Sequence, residues 1–212
     1  EMLFGLVGSE MCIRDSILKN NNISAYRSYK NFNNIQGLQF SIMNMNLKSK
    51  YSIFELGINN PKEMLKLVNT LQPHYCLVTS IENSHIGNFR SFRHLVDNKL
   101  KIFKSKRLIS GLVNYNYEPH YINNKLSLKV DLINSESLKK FIISNKKIYK
   151  VNFIYNKRKY SIESSRGEFY INIAIISFLF IKKFIKTIKF KNFFYDESII
   201  CLLYTSDAAD EQ

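Results

Sequence analysis

Apolar and polar positions along the chain switch between two periods. "YSIFELG" (51–57) and "HYCLVTSI" (74–81) are short β-branched and aromatic runs and read as strands. Between them, Asn60-Pro61-Lys62-Glu63 reads as an N-cap, a proline at the first helical position and a carboxylate in the first turn. Met64, Leu65, Leu67, Val68 and Leu71 then recur at helical spacing. A second helix is predicted over "SFRHLVDNKLKIF" (91–103), where Phe92, Leu95, Val96 and Phe103 form one stripe and Lys99 projects between Val96 and Phe92. A lysine there is either a stem snorkelling to water or a group placed for chemistry, and the rarity of buried lysine favours snorkelling when the helix is taken alone. Strands separated by crossover helices predict a parallel α/β sheet.

From residue 106 to about 163 the pattern becomes short strands: "RLISGLVNY", "KLSLKVDLI", "IYKVNFIY" and "RKYSIES". The predicted fold class is therefore α/β, a mostly parallel sheet flanked by helices with a β-rich section. A long helix is predicted over 168–186, with Ile171, Ala174, Ile175, Phe178 and Ile185 on one face and Lys182 near its end. Its uncharged run is about 13 residues, short of the roughly 18–20 that span a bilayer, so a buried core helix is expected and no membrane span.

Both ends differ from the rest. "GLVGSEMCIRDS" (Gly5 to Ser16) and "CLLYTSDAADE" (Cys201 to Glu211) resemble the two ends of a translated transposon-type sequencing adapter, in opposite orientations. Residues 1–16 and 201–212 are accordingly expected to be non-native and to stand outside the fold, leaving 17–200 as the domain. The formal charge of +14 for 212 residues invites a basic RNA- or membrane-binding module. The lysines are scattered, however, and accompany a surplus of Asn, Ile, Phe and Tyr, all encoded by AT-rich codons, so no nucleic-acid partner is expected. Of three cysteines, only Cys76 lies between the two ends, which excludes a disulfide framework and a cysteine metal site.

Open α/β sheets bind ligands outside the carboxyl ends of their strands. Glu55 ends the first predicted strand just before Gly57, and His85 lies a few residues beyond the second. A carboxylate and an imidazole at that edge suit a shared divalent cation. Each residue also has a plain structural reading, Glu55 as a turn cap and His85 as a partner for a loop carbonyl.

"ELGINNPKEM" (Glu55 to Met64) resembles the E-x-G-x-N-H-P-G-E-I block of the Mur ligase family. "SIENSHIGNFRSFRHLVDNKLKIF" (Ser80 to Phe103) is similar to that family's N-I-x-x-A-H-L-E-x-F-G-S followed by A-K-x-E-I-F, with His85, Phe89, Ser91, Lys99, Ile102 and Phe103 on family positions. "NFNNIQGLQFSI" (Asn31 to Ile42) resembles N-x-N-N-x-x-G-x-P, and "NFFYDESI" (Asn192 to Ile199) resembles the start of D-D-S-Y-N-A-N. The family branch that fits best adds D-alanyl-D-alanine to UDP-N-acetylmuramoyl-tripeptide. The resemblance implies a central, ATP-binding domain of a cytoplasmic, ATP-dependent amide-bond ligase of peptidoglycan synthesis, working through an acyl phosphate with magnesium ions. It further implies that Glu55 and His85 help hold magnesium and that Lys99, fourteen residues after His85, is carbamylated, its carbamate serving as an anionic ligand.

The chain departs from the family pattern at Asn60 (family His), Lys62 (Gly), Ser80 (Asn) and Phe169 (His). No G-x-x-x-x-G-K-[ST] phosphate loop occurs in it. The chain by itself is therefore expected to be inactive, a fragment of an active ligase or of a decayed paralogue.

Overall fold

The computed structural model describes residues 2–7, 18, 21–28, 32–81, 86–115, 118–135, 139–145, 148–155, 157–164 and 168–188. Six parallel strands make the main sheet: β1 (Met2–Val7), β2 (Ala25–Arg27), β3 (Tyr51–Glu55), β4 (Tyr75–Val78), β5 (Ser110–Asn114) and β6 (Val130–Ile133), in the order β2-β3-β1-β4-β5-β6. The helices are α1 (Ile35–Met43), α2 (Glu63–Leu71), α3 (Phe92–Leu100), a short α4 (Pro119–Asn123) and α5 (Glu168–Lys182). An antiparallel meander, β7 (Lys139–Asn145), β8 (Ile148–Tyr155) and β9 (Arg158–Ser164), forms a second, three-stranded sheet. The expected class, a mostly parallel sheet with helices and a β-rich section, is what forms.

The period-two alternation divides the core in two. Phe54, Leu56, Cys76, Val78 and Val113 pack with Leu38, Met64, Leu67, Val68, Leu95 and Val96 of α1, α2 and α3. Tyr51, Ile53, Tyr75, Leu77 and Leu112 face the other way, onto α5. That helix also meets Val151 and Phe153 of β8, so it runs between the two sheets. Position after position of it is buried in consequence, from Ile173 to Ile181, not only the predicted face. Among the described residues no helix is long and apolar enough to cross a membrane.

The largest correction concerns the amino-terminal end. Met2–Val7 lies within the segment expected to stand outside the fold, yet it is a central strand, paired with β3 on one side and β4 on the other. The physical reason is its unbroken apolar run, the composition of a strand buried on both faces. Gly5 belongs there on packing grounds, since a Cβ would come within 3.1 Å of Pro73 Cγ and 3.3 Å of Leu56 Cδ1. His74 fastens the start of the strand: its backbone N–H donates to Leu3 O (2.8 Å), and its Nδ1 accepts from Leu3 N (3.1 Å). Residues 8–17 and 201–212 lie outside the described residues.

Two boundaries also move. Leu128 in "KLSLKVDLI" is fully exposed, and β6 starts only at Val130. Just before it the backbone turns locally, Lys125 N donating to Ile122 O and Leu126 N to Asn123 O, so the pairing with β5 reaches back no further than Lys129 O, which accepts from Gly111 N (2.9 Å). The long helix stops at Lys182, not 186, because the chain turns and lays Phe184 against Tyr51 and Tyr75, with ring centroids at 5.7 and 5.0 Å.

The entry to α2 differs as well. Asn60 does not cap the helix, which begins at Glu63 after Lys62 in the left-handed region (φ 76°). The Glu63 carboxylate folds back to accept from Asn59 N (2.7 Å), Asn60 N (2.9 Å) and Asn60 Nδ2 (3.2 Å). Partial burial works against its ionisation, but those donors outweigh it and hold the carboxyl below its usual range. Lys62 stands where the family pattern has glycine, and the backbone explains why glycine suits the place. Lys62→Gly is expected to stabilise the fold by about 0.5–1 kcal/mol, read as a higher urea midpoint with unchanged slope. A lower midpoint would show that the lysine side chain contributes more than its backbone strain costs.

Candidate functional site

Leaving β1, the chain passes to one flank to build β2 and β3, then crosses to the other flank for β4. The carboxyl end of β1 is thus a topological switch point, where open sheets form a binding crevice. Register keeps three strand ends level there, with Leu6 opposite Glu55 and Val7 opposite Val78. Glu55, the half-buried last residue of β3, stands at this edge as the sequence predicts.

Its surroundings come from the Asn-rich segment before α1. Asn33 Nδ2 donates to Glu55 Oε1 (3.2 Å), and Gly57 N donates to Asn33 O (3.0 Å). Glu55 N in turn donates to Ser28 Oγ (3.4 Å). A Cβ on Gly57 would fall 2.7 Å from both Cγ and Nδ2 of Asn33, so the glycine leaves the space that the asparagine amide fills. Asn34 caps α1 by accepting from Gly37 N (2.9 Å). A Cβ on Gly37 would sit 2.5 Å from Phe32 Cβ and 2.7 Å from its Cα, which explains the second glycine. Asn33 and Glu55, 22 positions apart in the chain, are therefore halves of one arrangement.

Lys99 lies half-buried on α3, engaged with its surroundings, on the first helix after β4. The polar residue of α3 that is almost wholly enclosed is its neighbour Asn98, 1% exposed. Asn98 Oδ1 accepts from Lys62 N (3.3 Å) and Lys101 Nζ (2.6 Å), while Nδ2 donates to His94 O (2.7 Å). This amide ties α3 to the entry of α2. Its only signal in the sequence is a spacing of three from Leu95 and four to Ile102, which puts it on the buried face.

His85 lies outside the described residues. Among those described, no group of three or more His, Cys, Asp or Glu residues is arranged to hold a metal. Among the described residues, what stands at the edge is the Glu55 carboxylate, a hard oxygen donor of the kind magnesium takes, with an asparagine donor fixed beside it. Cys76 is excluded as a nucleophile. Burial pushes its thiol pKa far up, and Sγ donates to Ile102 O (3.4 Å).

A family model described as the Mur ligase middle domain matches residues 5–180. The chain belongs to the Mur ligase family. The match begins inside β1, in accord with that strand's place in the sheet. Among relatives of this Mur ligase domain is a UDP-N-acetylmuramoyl-tripeptide–D-alanyl-D-alanine ligase of Buchnera aphidicola, 32% identical over 168 residues, which are 77% of this chain and 35% of the relative. The enzyme of the same name from Rickettsia prowazekii is 34% identical over 89 residues, 42% of this chain and 20% of its own length. Among solved structures, MurF of Acinetobacter baumannii superposes with a TM-score of 0.71 at 17% identity, covering 85% of this chain and 43% of that one. MurF ligase of Thermotoga maritima in complex with ADP gives 0.71 at 19% identity, covering 89% and 46%. At those identities the likeness is one of fold. The chain spans about a third of the first relative and less than half of either solved structure.

For a nucleotide, the residues present do not make the usual cradle. The segment after β1 reads Gly8-Ser9-Glu10-Met11-Cys12, with no Gly-Lys-Ser/Thr to wrap phosphates.

Proposed function

We propose that this chain is the middle-domain portion of an ATP-dependent amide-bond ligase of peptidoglycan precursor synthesis, which joins D-alanyl-D-alanine to UDP-N-acetylmuramoyl-tripeptide in the cytoplasm. The observation that carries the reading is Glu55 at the switch point of a Mur ligase middle domain, held in place by the family's own Asn and Gly motifs. The named relatives support the choice of substrates. Glu55, His85 and a carbamylated Lys99 would hold magnesium, which when bound offsets negative charge on phosphates and on a developing oxyanion. Glu55 supplies a fixed carboxylate oxygen, and Lys99 stands half-buried on α3.

Phosphate release tests the proposal. The 212-residue chain alone is expected to release none, for want of the phosphate loop. A chain extended by its flanking coding sequence is expected to release phosphate only when ATP, UDP-N-acetylmuramoyl-tripeptide and D-alanyl-D-alanine are all present. Release driven by a different amine would overturn the substrate assignment. An extended chain that carries the loop, folds and releases nothing would identify a paralogue that has lost catalysis.

A further inference from the structure

We propose that Asn33 is a positioning residue that clamps the Glu55 carboxylate in one orientation at the sheet edge, and that Gly57 lacks a side chain to leave room for the clamp. The inference rests on reading Glu55 as a metal ligand and adds the residue that aims it. Twenty-two positions separate Asn33 from Glu55, so the pairing exists only in the fold.

Three features make it a clamp and not a passing contact. The donor is an amide N–H on a short side chain, 3.2 Å from Oε1, and its own backbone is anchored by the Gly57 N–H at 3.0 Å. The residue after it is fixed too, since Asn34 is committed to capping α1. On the other side, the Ser28 hydroxyl takes the Glu55 N–H, so the carboxylate's backbone is held as well as its head. A neutral donor also suits the task chemically. It holds a carboxylate oxygen without adding a second negative charge that would repel a cation. Partners of this kind orient metal ligands, and losing one typically weakens metal binding about 10- to 100-fold.

The test uses the whole 212-residue chain with Mn2+ as the probe, free metal being followed by electron paramagnetic resonance. Asn33→Leu removes the donor at similar volume, and Gly57→Ala keeps Asn33 but places a methyl where its amide sits. Both are expected to weaken Mn2+ binding about tenfold. A merely structural asparagine would lower the melting temperature and leave Mn2+ binding unchanged. Glu55→Gln separates the two ways of failing. If it leaves Mn2+ binding unaltered, the metal reading of Glu55 falls, and this proposal with it. If Glu55→Gln weakens binding while Asn33→Leu and Gly57→Ala do not, only the positioning role is overturned. Should Asn33→Leu fail to fold, Gly57→Ala carries the decision alone, because the displaced amide remains in the chain.

Discussion

Deleting residues 1–7 is expected to abolish cooperative folding. β1 pairs along its length with β3 on one side and β4 on the other, so its loss breaks two ladders and splits the main sheet at its middle. A domain of this size is stable by about 5–15 kcal/mol in total, and a central strand contributes more than that margin leaves to spare. The truncated chain should show no sigmoidal thermal transition by circular dichroism. Deletion of residues 201–212, the adapter-like carboxyl end, is expected to leave the melting temperature within experimental scatter. A truncated chain that still melts cooperatively would mean that another segment can take the strand's place.

Acid perturbs the same seam more gently. His74 accepts from Leu3 N only while Nδ1 is unprotonated. Burial first, and then the Arg107 charge, lower its pKa below the usual 6.5. A lowered folded-state value means that the unfolded chain takes up the proton more readily. The contribution of His74 is therefore complete above about pH 6.5 and is lost as pH falls through the folded value. The urea midpoint should decline between pH 7 and 5, and less steeply in His74→Gln.

The second large effect concerns Lys99 and rests on the proposed function. In the extended ligase, Lys99→Ala is expected to lower turnover by at least about a hundredfold at ambient CO₂, the scale of losing an activating group at a metal site. A short carboxylic acid in the assay should restore part of it by standing in for the carbamate. Lys99→Arg keeps the positive charge but does not form a carbamate, so it should fail as well. If the arginine variant turns over normally, Lys99 is only a snorkelling stem on α3.

The place of Glu55 was legible because its signals are local. Glu55 closes a β-branched run and Gly57 follows it, a pattern that marks a strand ending at a sheet edge whatever lies around it. The family blocks named Lys99 and His85; Lys99 is half-buried on α3, and His85 lies outside the described residues. Asn33 carries no such local signal. Its meaning depends on Glu55 and Gly57, which no local period connects to it. Asn98 was missed for a related reason: a polar residue beside a conspicuous lysine looks solvent-facing until Lys62 N is seen to donate to it.

By itself the sequence determined the α/β class, the strand-helix-strand unit over 51–81, the helix after it and the long apolar helix near the carboxyl end. Hydrophobic periods of two and 3.6 are properties of the chain, and burial only has to honour them. The tertiary structure alone decided that Met2–Val7 fills the middle of the sheet, that the long helix is enclosed between two sheets, that Lys125–Lys129 is not a strand, and that Lys62 turns left-handed before α2. Strand order, the partners available to a backbone N–H and the space beside a glycine arise from segments far apart in the chain. A short apolar run holds no record of which neighbours will claim it, and its place follows from the hydrogen bonds and buried area that the assembled neighbours offer.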